Sequence, residues 1–279
     1  MNVSQDIFRA YDIRGVYGSE LNAEIGEQVG LVFGNYLRKS HSKGTVSIGC
    51  DARISSPELQ EAVSKGISSA GFNVDVIGMV PIPVANFCTW KASLGENSYI
   101  AGVYITASHN PAEYNGIRFR HPDGAGYTEG NIEIKRMFFE EQAEEHSEHG
   151  EINILSTEEM LRKYTDFVKS KMNDLSGMRI AIDPGNGVGS VIIDELFQKF
   201  GVETKCINNE PDGRFPNRPS EPAPKNLGDL ISLAKKEAFD FSVAYDGDAD
   251  RCVFLDDRAN PVSPEKIGII VAKSLITPE

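Results

Sequence analysis

Cysteine is scarce in this chain and is never grouped. Cys50, Cys88, Cys206 and Cys252 are spread over 279 residues with no Cys-x-x-Cys pair. That excludes a thiolate zinc site and a disulfide framework, and it suits a reducing compartment. Long apolar runs are also missing. No stretch approaches the roughly 20 apolar residues a membrane span needs, and the N-terminus lacks a signal-peptide apolar core. The sequence therefore reads as cytoplasmic, with no membrane partner. Positive charge is in deficit: the formal net charge is −13, which argues against nucleic acid as a partner. An anionic substrate would need a locally basic pocket.

What is present is an ordinary globular composition, 40% hydrophobic and 25% charged, over a length that suits about two domains. Helical spacing runs through Ile25, Val29, Val32, Phe33 and Tyr36, predicting a helix over 22–39. A β-rich run over 45–50 is followed by Ser55, Ser56, Pro57 and Glu58, a helix start, and by Gly71, a helix stop. Strands are expected at 73–77, 99–105, 178–182, 241–245 and 252–255, and helices at 128–145, 156–172, 191–200 and 226–238. Strand–helix–strand repetition implies parallel pairing in tandem α/β units.

The stretch Tyr104-Ile105-Thr106-Ala107-Ser108-His109-Asn110-Pro111 closes one of these strands with polar residues. Ligands in open α/β sheets sit outside the carboxyl ends of strands. Pro111 disfavours a helical Asn110, and Asn115-Gly116 offers a tight turn back into 117–120. Ser108 is thus expected on a short, stiff, exposed loop that suits a nucleophilic or phosphorylated hydroxyl. No Gly-x-Ser-x-Gly elbow surrounds it. In an extended segment Ser108 and His109 would point opposite ways, which disfavours a Ser–His pair.

Downstream, Asp246, Asp248 and Asp250 alternate, and extended backbone would put all three carboxylates on one face. Carboxylates that close raise one another's pKa unless a cation neutralises them. A hard divalent ion such as Mg²⁺ fits; a solvated acidic turn has the same composition. Arg251 beside them is a candidate clamp on a phosphoryl group. Arg251 and Asp257 at the sixth and twelfth positions exclude an EF-hand.

Other features weigh less. Arg9 and Arg14 are fork donors for phosphate or carboxylate, or surface arginines. The run Gly185-Asn186-Gly187-Val188-Gly189 could cradle a phosphate but departs from the dinucleotide fingerprint, so a structural turn is preferred. His146 and His149 fall on an acidic, solvated face. Pro264 and Glu265 start a helix that is apolar nearly all round and would need a core on several sides.

Three motifs in order, Phe8-Arg9-Ala10-Tyr11-Asp12-Ile13-Arg14-Gly15, then Thr106 to Pro111 with Tyr114-Asn115-Gly116, then Asp246 to Arg251, resemble the α-D-phosphohexomutases. The phosphomannomutase/phosphoglucomutase branch is the nearest. The resemblance implies tandem α/β domains, each a mixed, mainly parallel sheet flanked by helices. Domain 1 would span 1–150 with the phosphoserine loop and domain 2 would span 151–258 with the Mg²⁺ loop. Residues 259–279 would begin an incomplete domain 3, and a C-terminal half that grips the sugar would be missing.

It implies further that Ser108 is the phosphoserine, and that its phosphate with Asp246, Asp248 and Asp250 binds Mg²⁺. Arg251 would contact the phosphoserine region, and His109 and Arg14 would lie beside the sugar. Tyr11 would line the pocket. Arg118 stands where the family usually has a Lys that acts as base; it would bind substrate and stabilise charge, leaving more of the proton transfer to His109. Ala249 replaces a usual Gly, and Cys50 a usual Arg.

The reaction implied is interconversion of hexose 1-phosphate and hexose 6-phosphate, mannose or glucose, through a 1,6-bisphosphate. Glucose 1,6-bisphosphate would be the activator. The same motifs admit two other readings: a non-catalytic Mg²⁺- and phosphosugar-binding fragment, or a Mg²⁺-dependent sugar phosphatase.

Overall fold

The computed structural model describes residues 3–90 and 99–276. Two sheets organise them. The first combines β1 (Ile13–Val16), β2 (Thr45–Cys50), β3 (Asn73–Met79), β4 (Ala101–Ile105), β5 (Tyr114–Arg120) and β6 (Ile152–Ile154), in the order β1-β5-β4-β2-β3-β6. β4, β2, β3 and β6 pair in parallel, whereas β5 runs antiparallel to both β4 and β1. β2 and β4 are buried almost throughout, as parallel strands covered on both faces must be. β6 comes from residues past 150, beyond the boundary expected from sequence.

The second sheet has the order β11-β10-β9-β7-β8, from β7 (Arg179–Asp183), β8 (Glu203–Cys206), β9 (Phe241–Tyr245), β10 (Cys252–Leu255) and β11 (Pro261–Val262). β7 pairs in parallel with β8 and β9, and β10 returns antiparallel. Both sheets are therefore mixed, with the antiparallel strands at one side.

Helices α1 (Ala23–Leu37), α2 (Ser56–Ser69) and α4 (Glu129–Glu140) share one core with the first sheet, through Val29, Phe33, Val63, Ile48, Phe119 and Met137. Helices α3 (Ile82–Thr89) and α5 (Thr157–Lys169) enter a second core that also holds Tyr104, Ile180, Ile182 and Val243. This second core contains side chains from both sheets, so apolar burial fixes one domain against the other. The loop after β4 consequently meets the loop after β9. Helices α6 (Ile193–Gln198) and α7 (Gly228–Lys236) complete the second domain.

Several local expectations need correction. Asn115 and Gly116 are not a turn; they pair with Gly15 and Arg14 inside β5. The reversal comes earlier, where the Tyr114 N–H donates to the Pro111 carbonyl. Of the two serines before Pro57, Ser55 takes the N-cap position of α2 without a side-chain capping bond, and Ser56 donates its hydroxyl to Asp51 Oδ1 at 2.6 Å. The helix expected over 191–200 is a short 3₁₀ turn (Val188–Val191) followed by α6. α4 stops at Glu140, short of the expected end at 145. Ser156 caps α5, accepting from the Glu159 N–H. The final helix, α8 (Pro264–Leu275), leaves Ile269, Ile270, Val271 and Leu275 exposed among the described residues.

Candidate active site

Ser108 lies just past the end of β4, and it is buried rather than exposed because the second domain's acidic loop packs over it. Its backbone is a turn, not an extended segment: Ser108 sits at φ +54°, and its N–H donates to Thr106 Oγ1 at 2.7 Å. A positive φ is costly for a residue with a Cβ and marks a site held by its surroundings. It also defeats the alternation expected of extended chain. Ser108 Oγ and His109 Nδ1 are 3.3 Å apart, on the same side.

The acidic loop follows β9 by the same logic, at a strand's carboxyl end. It too is a turn: the Asp246 N–H donates to the Arg251 carbonyl, and the Ala249 N–H donates to the Asp246 carbonyl, each at 3.1 Å. Ala249 is at φ +59°, where the usual Gly would be unstrained. The carboxylates converge through this turn rather than through strand alternation. Ligand atoms of Asp246, Asp248 and Asp250 all lie within 4.8 Å of one another. Gly247 makes the approach possible; a Cβ there would sit 2.5 Å from Ser220 Oγ and 2.8 Å from the Ser108 carbonyl.

The two loops touch. The Ser108 hydroxyl donates to Asp246 Oδ2 at 3.2 Å, and the Thr106 hydroxyl reaches Asp248 Oδ2 at 3.1 Å. The Ile82 N–H, at the start of α3, donates to the Asp248 carbonyl at 3.0 Å. Asp246 and Asp248 are fully buried, and Asp248 Oδ1 has no hydrogen-bond partner. Burial first, and then the neighbouring carboxylates, push the pKa of both acids up. An orphaned buried oxygen in an all-carboxylate cluster is what a hard divalent cation such as Mg²⁺ would satisfy.

Cations ring this cluster. Arg118 Nη1 lies 3.4 Å from Asp250 and 3.7 Å from Asp248, and its Nε is 3.5 Å from Asp12. Burial opposes its charge, but Asp248, Asp12 and Asp250 outweigh burial and its pKa is raised, so it cannot serve as a base. Arg14 pairs with Asp12 at 2.5 Å and donates to Asn110 Oδ1 at 2.9 Å. Arg251 Nη1 donates to His109 Nδ1 at 2.9 Å. A guanidinium can only donate, so the ring proton of His109 sits on Nε2. Burial, then Arg251 and Arg14, hold the His109 pKa below its ordinary value. Tyr11 is 71% exposed, on the turn before β1. The structure thus gathers Ser108, His109, Arg14, Arg118, Arg251 and the three aspartates, and leaves Tyr11 at the surface.

Sequence reasoning missed the residues that hold the loops. Asp51 follows β2 and accepts from Thr106 Oγ1 at 2.7 Å, while Arg53 is fully buried beneath Ser108. Arg218 plays the matching part in the second domain. It donates to the Asp183 carboxylate and to the carbonyls of Asp183 and Tyr245. The available signal was position, since Asp51 and Asp183 both lie at the carboxyl ends of central strands. The glycine-rich turn is structural, as preferred. The N–H groups of Gly185, Asn186, Gly187 and Val188 donate to Asp183 Oδ1 and to the carbonyls of Asn208, Pro184 and Gly247. These four are taken up within the protein and cannot serve a phosphate.

Comparison with known proteins agrees with this geometry. Residues 5–145 match the family model "Phosphoglucomutase/phosphomannomutase, alpha/beta/alpha domain I", and residues 160–259 match that of domain II. This chain belongs to the phosphoglucomutase/phosphomannomutase family. It is 32% identical to the phosphoglucomutase/phosphomannomutase of Thermococcus kodakarensis, over 97% of this chain and 59% of that protein. It is 33% identical to the phosphomannomutase/phosphoglucomutase of Pseudomonas aeruginosa (97% and 56%). It is 35% identical to a probable phosphoglucosamine mutase of Methanobrevibacter smithii (92% and 56%).

A crystal structure of a family protein from Burkholderia thailandensis superposes with a TM-score of 0.89 at 30% identity, covering 98% of this chain and 59% of that one. The chain therefore spans less than three-fifths of these phosphohexomutase relatives. Among the described residues, no helix is long and apolar enough to cross a membrane.

Proposed function

We propose that the chain carries the phosphoryl-transfer machinery of a hexose-phosphate mutase, with Ser108 as the residue that holds the phosphoryl group. The observation that carries the reading is Ser108 Oγ at 3.2 Å from Asp246, beside an acid triplet supplied by the other domain in which Asp246 and Asp248 are buried. A serine hydroxyl merely filling a turn has no need of three converging carboxylates and a surrounding set of arginines.

In the first transfer the sugar hydroxyl oxygen bonds to phosphorus as the bond from phosphorus to Ser108 Oγ breaks, and the sugar hydroxyl proton passes through His109 to Ser108 Oγ, giving a hexose 1,6-bisphosphate. In the second, Ser108 Oγ attacks the other phosphoryl group and the sugar oxygen leaves. Asp246, Asp248 and Asp250 would hold Mg²⁺, which supplies charge stabilisation to the phosphoryl oxygens when bound. Arg251 and Arg118 set positive charge beside the transferred group. His109, neutral because of burial and its arginine neighbours, lies 3.3 Å from Ser108 Oγ through Nδ1. Arg251 Nη1 occupies the one lone pair of Nδ1 at 2.9 Å; when Arg251 turns to the phosphoryl group, Nδ1 takes the hydroxyl proton as Ser108 attacks and returns it to the leaving oxygen.

Glucose and mannose phosphates are the proposed substrates, from the opening motif. The likeness to proteins named phosphoglucosamine mutase makes glucosamine phosphate the substrate to set against them.

The test is incubation with glucose 1,6-bisphosphate and Mg²⁺, followed by mass spectrometry of Ser108 and assay of hexose 6-phosphate and free phosphate. Phosphate on Ser108 supports the reading. Phosphate without mutase product makes the chain a transfer half that needs a sugar-binding half. Rapid release of free phosphate makes it a phosphatase, and an unmodified Ser108 overturns the proposal.

A further inference from the structure

We infer that Arg53, assisted by Ser220 from the second domain, is a positioning residue that keeps Ser108 in its left-handed turn for phosphoryl transfer; this rests on the function proposed above. A guanidinium has five N–H donors in a fixed fork, and here all five have acceptors. Nη2 donates to the carbonyls of Ser108 at 2.8 Å and Asn110 at 2.7 Å. Nη1 donates to those of Pro111 at 2.5 Å and Tyr114 at 2.9 Å. Nε donates to Asp51 Oδ2 at 3.1 Å. Four carbonyls between residues 108 and 114 thus converge on one buried side chain. A lysine, with three donors on one nitrogen, could not serve them.

Asp51 is itself fixed. Its Oδ1 accepts from Ser56 Oγ at 2.6 Å and from the Arg53 N–H at 3.0 Å. The Ser108 carbonyl takes a second bond, 2.9 Å long, from Ser220 Oγ. One carbonyl is therefore gripped by both domains, at the residue whose φ is +54°. Without the grip, Ser108 relaxes toward negative φ, and its Oγ swings away from Asp246. The acid triplet belongs to the opposite loop and keeps its own turn. Loss of the grip should slow transfer while leaving cation affinity in place.

The experiment compares the unmodified chain with Arg53→Lys and Ser220→Ala. Three quantities are read: the initial rate of Ser108 phosphorylation by glucose 1,6-bisphosphate with Mg²⁺, Mn²⁺ affinity by electron paramagnetic resonance, and the melting temperature. Misplacement of a reacting group by about 1 Å can cost about 100-fold, the loss expected for Arg53→Lys. Loss of one hydrogen bond, about 5–10-fold, is expected for Ser220→Ala. Mn²⁺ affinity should change less than about twofold in both, since neither side chain bonds to the acid triplet.

Rates within twofold of the unmodified chain overturn the inference, as does a loss of rate matched by an equal loss of Mn²⁺ affinity. If Arg53→Lys fails to fold, Ser220→Ala decides by the same criteria. An unmodified chain that never acquires phosphate overturns the proposed function, and the role of Arg53 with it. Phosphorylation at full rate in the variants overturns the role of Arg53 alone.

Discussion

Ser108 Oγ and Asp246 Oδ2 lie 3.2 Å apart although 138 positions separate them in the chain. Each sits just past the carboxyl end of a strand, one in each sheet, and the core shared by α3, α5 and both sheets holds the two ends together. The cost of the arrangement is concentrated in the acidic loop, where two carboxylates are fully buried with incomplete compensation.

That cost predicts a crossover in stability. A carboxylate whose folded pKa is raised destabilises the fold once it ionises, so stability falls as pH rises above its unfolded value. Asp248→Asn removes the charge and keeps the size of the side chain. In EDTA near neutral pH, the variant should melt at least about 2–4 °C above the unmodified chain, the shift expected per kcal/mol for a domain of this size. Added Mg²⁺ should raise the melting temperature of the unmodified chain and not that of the variant. Scanning calorimetry with and without metal reads both effects, and equal responses to Mg²⁺ would remove Asp248 from the metal site.

Ala249 gives a second prediction. Its φ of +59° is strained for any residue with a Cβ. Ala249→Gly should stabilise the chain by about 1 kcal/mol from relief of that strain, less the flexibility glycine adds to the unfolded state. Mn²⁺ affinity should stay the same, because the three carboxylates keep their turn. A drop in melting temperature would show that the loop is not under strain.

How much of this was legible in the sequence differs from element to element. The strand ends at Ile105 and Tyr245 were readable because an apolar run gave way to polar residues. The approximate helices were readable from 3.6-residue spacing and from Pro and Gly punctuation. The strained turns at Ser108 and Ala249 were not readable, because tertiary contacts across the domain boundary impose a positive φ on residues that do not prefer it. Asn115-Gly116 misled for a similar reason. The pair carries the local chemistry of a tight turn, yet β1 recruits it into β5. Buried Arg53 and Arg218 carry no periodic signal at all, since beyond Asp51 and Asp183 their partners are main-chain carbonyls.

The environment of His109 predicts a pH profile. Its pKa is held low by burial and by Arg251 and Arg14, so the ring stays neutral to lower pH than a free imidazole does. If His109 accepts the Ser108 proton, the phosphorylation rate should hold through neutral pH and fall only as pH drops through that lowered value. His109→Gln should be slower, by about 100-fold or more for loss of a general base, and should lose this acid limb. A variant that retains the limb places the proton elsewhere.

The central claim is that one divalent ion is shared by a phosphate on Ser108 and the carboxylates of Asp246, Asp248 and Asp250. Phosphorus NMR of the Ser108-phosphorylated chain, titrated with Mn²⁺ in place of Mg²⁺, tests it most directly. The account predicts that the phosphoserine resonance broadens beyond detection at stoichiometric Mn²⁺ and survives in Asp246→Ala. A phosphoserine line that stays sharp while Mn²⁺ binds would contradict it.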